Sequence, residues 1–394
     1  MPTTRGWAAI GAATALVVLW VIFGEDLLLA LAVFLVSATA GGTMYVRLSG
    51  PKLSVRRTIV PSQLHDGERA LVDLSIRSRQ KVYRVRVEDR IHGLGSAAFV
   101  ADRVAADDTM IGRYEVLCRP RGVYAVGPSS VSVSDPLGLA EATSTAGSAD
   151  RLVVYPKVED LHGVPTGRGQ DQTMSTSRAD FWHTGSEDFF TLREYQHGDD
   201  LRKVHWPSTA RHDELIIKQL EMPRQSRAFL VLDPRSEPHS SPESFEQAVR
   251  GAASVLRHLF NAGYTPTIWA GHGRGTMVDN SNTYRVAMEE LATITPEHGV
   301  DLRHLVATLQ RSGMAGGVLV MITGQPDDAD LAAFVLLSQN FYRTVVLSVG
   351  EGENEEILGF ARTGALVVRT TPGGSWAEPW RNAMEHGWSI ASVG

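Results

Sequence analysis

The sequence predicts a multi-domain chain: an N-terminal transmembrane helical hairpin, then an immunoglobulin-like β-sandwich, then an α/β domain with a doubly wound, mostly parallel sheet. Three observations predict it. Two long uncharged stretches open the chain, short alternating runs follow them, and the C-terminal part alternates apolar strands with amphipathic helices.

With 394 residues the chain exceeds what one core organises, since single cores stop growing at roughly 250–300 residues. Hydrophobic residues make up 43% and charged residues 21%, which excludes both wholesale disorder and a polytopic transporter. A formal net charge of −6, with no basic run interleaved with aromatics, excludes a nucleic-acid partner. The single cysteine, Cys118, rules out an intrachain disulfide and any C-x-x-C motif. It continues the alternation of Tyr114 and Val116, so it reads as a small buried hydrophobe.

The hairpin occupies residues 1–48. Uncharged stretches run from Trp7 to Phe23 and from Leu27 to Val46, separated by Gly24, Glu25 and Asp26. Each is close to the ~20 residues an α-helix needs to cross ~30 Å of hydrocarbon, and so short a break returns the chain antiparallel. Arg5 precedes the first helix, and Arg47, Lys52, Arg56 and Arg57 follow the second. The excess of positive charge at these ends predicts a cell-membrane protein with both termini and the soluble domains in the cytoplasm, and with the lipid bilayer as a partner. A signal peptide cleaved after Ala38-Thr39-Ala40 is the rival reading, but such peptides carry one apolar core of about 7–15 residues. A buried hairpin of a soluble protein would show a polar face, and neither helix does.

Residues 49–157 form the predicted sandwich of roughly seven strands. Val72, Leu74 and Ile76 alternate with Asp73, Ser75 and Arg77, and Tyr83, Val85 and Val87 alternate with Arg84, Arg86 and Glu88. Residues 158–224 read as a linker, rich in Gly, Ser and Thr from Gly163 to Arg178, followed by a polar loop. The α/β domain spans 225–372, from "RAFLVLD" through a helix at Glu243 to Asn261, "TPTIWA", a helix around Tyr284 to Ile294, "GGVLVMIT", a helix around Asp328 to Gln339, "YRTVVLSV" and "ALVVR". Residues 373–394 are left as a C-terminal tail. In an open parallel sheet, sites lie at the carboxyl ends of strands, which singles out Asp233.

The densest polar segment runs from Asp180 to Glu221. It holds His183, His197, His205 and His212 among carboxylates, but no two histidines stand at helical chelate spacing and nothing resembles H-E-x-x-H. It reads instead as a loop ordered by Arg–carboxylate pairs and anchored by aromatics, suited to a protein partner. "AGHGRGT" from Ala270 to Thr276 lacks the spacing that cradles phosphates and reads as a turn. No G-x-S-x-G elbow is present. The expectation is a non-enzyme with no catalytic residue, no cofactor and no metal.

Three stretches make the chain recognisable: "RGVYAVGPSSVSVSDPLGL" followed by "VVYP", "DFFTLREYQHGDDLRKVHWPSTAR" with "ELIIKQLE", and "AFLVLD". With them the chain resembles the bacterial domain of unknown function 58 family from the hairpin to the α/β domain. The middle stretch carries the signature, through Arg193, Glu194, Tyr195, Gly198, Asp199, Asp200, Arg202, Trp206 and Arg211. The resemblance implies a von Willebrand factor A-like α/β domain, a MoxR-type AAA+ ATPase as partner and, often, a transglutaminase-like membrane protein. It implies a non-enzymatic scaffold or adaptor in the assembly or maturation of envelope or metal-dependent complexes. The alternatives are a Mg²⁺-dependent adhesion or binding protein and an extracytoplasmic structural protein of the envelope. The von Willebrand A-like fold often holds a metal on D-x-S-x-S. Here Asp233, Arg235 and Glu237 stand in that pattern, so the site at Asp233 is expected to be degenerate, with Arg235 where a hydroxyl ligand belongs and Gly324 where a second carboxylate is often found.

Overall fold

The computed structural model describes residues 1–48, 53–61, 63–165, 190–194, 204, 206, 209, 215–220, 227–271, 275–299, 302–311, 315–352 and 355–386. They fall into two compact units, Met1–Lys157 with Met288–Thr293, and Val158–Ala287 with Ile294–Gly394.

The first unit opens with α1 (Thr4–Phe23) and α2 (Asp26–Leu48). The Thr3 hydroxyl caps α1 by accepting from the Gly6 N–H at 3.2 Å, and Gly24 ends it in the left-handed region at φ 72°, donating to the Trp20 carbonyl at 2.7 Å. Both helices are long and apolar enough to cross a membrane. Val21, Ile22, Phe23, Leu27 and Phe34 lie uncovered on them. The opposite ends of the hairpin rest on a turn of the β-rich part. A β-carbon on Gly6 would lie 2.1 Å from the Leu139 carbonyl oxygen, so that approach requires glycine, and one on Gly42 would lie a tight 3.2 Å from the Asp135 carboxyl group.

Ten strands follow among the described residues, against the roughly seven expected. One sheet has the order β1 (Leu53–Val60), β3 (Arg69–Ser78), β6 (Thr109–Leu117). The other joins β2 (Leu64–His65), β10 (Asp150–Tyr155), β7 (Gly122–Val126), β4 (Val82–Ile91), β8 (Ser129–Ser134) and β9 (Glu141–Ala146), with β5 (Gly95–Val104) added to β4. All pairs are antiparallel except β2 with β10. Val72, Leu74 and Ile76 point inward as their spacing predicts, and Cys118 is fully buried, which pushes its thiol pKa up. On β4 the expected alternation holds from Val85 through Val87 and fails only at Tyr83: Val82 is the inward residue before Val85, three apart, because Arg84 takes φ 46° and drops out of the ladder together with Asp102 opposite it.

One buried ion network ties the two sheets. Arg57 on β1 donates to both carboxylate oxygens of Asp89 on β4, to Asp150 at 2.7 Å and to the Val126 carbonyl at 3.1 Å. Asp89 also accepts from the Tyr114 hydroxyl at 2.7 Å and the Ser129 hydroxyl at 2.8 Å. Burial alone would raise the Asp89 pKa, but the bonds from Arg57, Tyr114 and Ser129 outweigh it and hold the carboxyl below its usual range. Because that pKa is depressed, the stabilisation is present above the unfolded carboxylate value of about 3.9 and is lost as pH falls through the lower folded value. Arg57→Ala is expected to cost roughly 3–5 kcal/mol by leaving Asp89 charged and unpaired. Urea unfolding of the detergent-solubilised chain at neutral pH checks it, with the loss shrinking toward the acid end.

The second unit holds a six-stranded sheet in the order β15 (Thr276–Met277), β14 (Thr265–Ala270), β13 (Arg227–Leu232), β16 (Val318–Thr323), β17 (Arg343–Val349), β18 (Leu366–Thr370). All neighbours are parallel except β14 with β15. Its central strands are continuous runs of buried residues because helices cover both faces. One face packs on α3 (Pro242–Asn261), and the other on α5 (Leu302–Arg311), α6 (Asp328–Ser338) and α7 (Glu355–Arg362), through Phe229, Leu319, Phe334 and Phe360. The remaining helices are α4 (Ser281–Thr293) and α8 (Ala377–His386). Upstream, β11 (Phe190–Glu194) and β12 (Ile216–Leu220) pair antiparallel.

Two expected boundaries need correction. The segment 373–394 is not a tail throughout, because α8 is part of the α/β unit. Trp376 and Trp380 are fully buried, the indole of Trp376 donates to the Gln247 carbonyl at 3.0 Å, and that of Trp380 donates to Gly163 at 3.0 Å. Nor is 158–224 linker from its start. The Glu159 carboxylate accepts from the Ser375 hydroxyl at 2.5 Å and the Trp376 N–H at 2.8 Å, which fixes residues 158–163 in the same unit. Two buried indoles outweigh the polar composition around them. Trp380→Ala is expected to destabilise this unit by about 3–5 kcal/mol, measurable as a lowered urea midpoint by tryptophan fluorescence.

Candidate functional site at the carboxyl edge of the parallel sheet

The chain leaves β13 for β14 on one side and returns to β16 on the other, so the strand order reverses at β13. The crevice at such a reversal is where open α/β sheets place their ligands. Asp233 closes β13 there with no exposed surface.

Its surroundings neutralise it. One carboxylate oxygen accepts from the Arg235 N–H at 3.1 Å and from its Nε at 2.9 Å. The other accepts from Arg235 Nη2 at 2.7 Å and from the Thr323 hydroxyl at 2.8 Å. The remaining guanidinium nitrogen, Nη1, meets Asp330 Oδ1 at 2.9 Å. Asp330 is itself held by a capping box at the start of α6, where its carboxylate accepts from the Asp327 N–H at 3.1 Å and its own N–H donates to the Asp327 carboxylate at 2.8 Å. Burial opposes the charge on Arg235, but the hydrogen bonds to Asp233 and Asp330 outweigh it and push its pKa up. A planar fork bonded on two sides satisfies both buried carboxylates, as bidentate geometry allows.

A divalent cation at D-x-S-x-S would use these same oxygens, and here the guanidinium lies on them. Glu237 faces elsewhere. Its carboxylate accepts from the Gly299 N–H at 3.1 Å, a bond that holds its pKa below the usual range. Gly324 is not a lost carboxylate position. A β-carbon there would lie 2.1 Å from the Pro238 carbonyl oxygen, since the loop after β13 passes directly over it and is tied down by Gln325 N–H to Pro238 at 2.7 Å. The second carboxylate comes from Asp330. In the sequence, "PDDAD" marks Asp330 as part of a helix start and carries no sign of its bond to Arg235.

The loop after β13 forms a rim. Arg235 and Glu297 bridge in parallel, and the Ser236 hydroxyl and His298 Nδ1 lie 2.5 Å apart. His239 packs edge-on to Phe245, with Nδ1 3.1 Å from the Ser244 hydroxyl, and burial holds its pKa below the ordinary histidine value. Among the described residues, no three His, Cys, Asp or Glu side chains are grouped to hold a metal.

Arg193 and Glu194 lie on β11, in register with Ile217 and Ile216. Trp206 is described and 68% exposed. Tyr195, Gly198, Asp199, Asp200, Arg202 and Arg211 lie outside the described residues, as do His272, Gly273 and Arg274 of the "AGHGRGT" turn.

Arg235→Ser removes the tethered cation and supplies a hydroxyl. The expected outcome is a protein destabilised by roughly 3–5 kcal/mol without added metal and rescued in part by millimolar Mg²⁺ or Mn²⁺, which leave the wild type unchanged. Melting temperatures with and without the ions measure it.

Comparison with known proteins gives three relations. A family model described as "Protein of unknown function DUF58" matches residues 191–357. The "Uncharacterized protein YeaD" of Bacillus subtilis (strain 168) is 28% identical over 240 residues, covering 58% of this chain and 57% of that relative, so the chain spans under two thirds of the relative's length. Among solved structures, the CARDB domain of the PF1109 protein from Pyrococcus furiosus, in complex with di-metal ions, matches 26% of this chain and 88% of its own at 13% identity and a TM-score of 0.22.

Proposed function

From the premise that the chain belongs to the DUF58 family, we propose that it is a membrane-anchored, non-enzymatic scaffold whose α/β unit, read as von Willebrand A-like, contacts a MoxR-type AAA+ ATPase. Anchoring rests on the apolar hairpin, whose outer faces no described residue covers. The observation that carries the scaffold reading is Arg235. At the edge where a sheet of this topology does its chemistry, Asp233 and Asp330 are both bonded to the Arg235 guanidinium, which occupies the oxygens a cation would use. Such an edge suits a protein contact better than catalysis. Trp206, a large aromatic left exposed upstream of β13, is the kind of residue that anchors interfaces. A transglutaminase-like membrane protein is a second companion in this reading, and assembly or maturation of envelope or metal-dependent complexes its setting.

The topology proposed with it puts both termini and both soluble units in the cytoplasm, on the same side as a cytoplasmic ATPase. Alkaline phosphatase fused after Gly394 is expected to be inactive and a fluorescent protein there to glow. Affinity capture of the full chain from native membranes is expected to recover the ATPase, and Trp206→Ala to lower the recovery about tenfold with melting temperature unchanged. An active phosphatase overturns the topology, and undiminished capture by the variant overturns the interface.

A further inference from the structure

Two arginines converge at the foot of the hairpin with no carboxylate among the described residues to account for them. Arg5 lies in the first turn of α1, and Arg84 is the β4 residue that leaves its ladder. A β-carbon placed on Gly138 would lie 2.4 Å from the Arg84 Nη1 and 3.9 Å from the Arg5 Nη1, so the two guanidinium groups flank one point beside the turn between β8 and β9. Both side chains are exposed, and neither forms an ion pair with any described residue. Asp102, opposite Arg84 on β5, does not pair with it, and the carboxylate of Asp135 in the same turn is taken up by the N–H groups of Leu137 at 2.9 Å and Ala140 at 2.6 Å.

The convergence is built rather than incidental. Arg84 holds φ 46°, a region that side-chain-bearing residues avoid, and the ladder between β4 and β5 skips Arg84 and Asp102 to accommodate it. The turn that Arg84 meets is locked to the hairpin. The Thr3 N–H donates to Leu139 at 2.9 Å, the Thr3 hydroxyl donates to Gly138 at 2.7 Å, and Gly6 packs on the Leu139 carbonyl. Like charges held side by side call for an anion, and a phosphate group is the anion that two guanidinium groups bridge best.

We propose that Arg5 and Arg84 form a binding site for the phosphodiester headgroup of an anionic membrane phospholipid. This rests on the hairpin spanning a membrane. The uncharged stretch of α1 begins at Trp7, two residues beyond Arg5, so the pair sits at the depth where hydrocarbon gives way to headgroups. Trp7 is exposed, as an interfacial tryptophan would be, and Leu137 projects from the same turn, 61% exposed. A soluble phosphate would find the charge but would leave these apolar neighbours without a partner.

The test uses the purified full chain in neutral detergent, titrated with short-chain phosphatidylglycerol, with phosphatidylcholine and with inorganic phosphate, counting bound lipid by native mass spectrometry. Wild type is expected to prefer phosphatidylglycerol, and Arg5→Ala and Arg84→Gly each to weaken that preference about fivefold. Arg84→Gly also relieves the positive φ, so its melting temperature should hold or rise, which separates lost binding from lost folding. Equal preference in wild type and both variants overturns the site. Displacement of the lipid by an equal concentration of inorganic phosphate overturns the lipid assignment. Carbonate extraction of native membranes keeps the two readings apart: release of the chain defeats the hairpin and this site with it, whereas retention without lipid preference defeats only the site.

Discussion

Asp233 carries its charge at a point from which water is excluded, and the carboxyl edge of the parallel sheet is arranged around how that charge is met. A buried carboxylate left alone would cost several kcal/mol or take up a proton. Here the loop after β13 turns back so that Arg235, two residues on, lies across both carboxylate oxygens. One cation then draws in the rest. Asp330 reaches it from the start of α6, Thr323 completes the bonding of Asp233 from the end of β16, and Gly324 must remain glycine because the returning loop occupies the space of a side chain.

The β-rich unit solves a related problem over a longer span. Arg57 and Asp89 come from different sheets, and their pairing fixes how the sheets face each other, whereas Arg235 and Asp233 are nearly adjacent in sequence. Truncating either arginine leaves a buried carboxylate uncompensated, but only the Arg57 network carries information about long-range register. Tyr114 and Ser129 add bonds to Asp89 from two further strands, so that register is specified by polar groups as well as by the alternation of Val72, Leu74 and Ile76.

What could be read along the chain and what could not divides on physical grounds. Period-two and period-3.6 patterns are local, so the hairpin, β3, α3 and the order of alternating strands and helices in the α/β unit were legible. So was a fixed positive charge two residues after Asp233, because it is intrinsic to the Arg235 side chain. Asp330 was not, since nothing local distinguishes a capping aspartate from one that also meets a guanidinium nearly a hundred residues upstream. The docking of α8 escaped for a similar reason. A ten-residue helix with Pro379 in its first turn looks like tail, and only burial of Trp376 and Trp380 against distant Gln247 and Gly163 makes it core. On β4 the expected alternation broke at Arg84, where a positive φ that no propensity favours overrides the period.

Replacing a diffusible cation with a tethered one also changes what the sheet edge can respond to. A site filled by Mg²⁺ is coupled to the ion's concentration, gaining stability as RT ln(1 + [L]/Kd) and losing it when the ion is withdrawn, so its surface can be switched. A guanidinium fixed two residues from its carboxylate has no such dependence, and with its pKa pushed upward it does not titrate in any physiological range. The Arg235–Asp233 pair is therefore constitutive, held without a diffusible ion and without proton exchange on the guanidinium near neutral pH. A change in the surface of this unit must then arise away from that pair, where large side chains such as Trp206 and Tyr342 stand exposed.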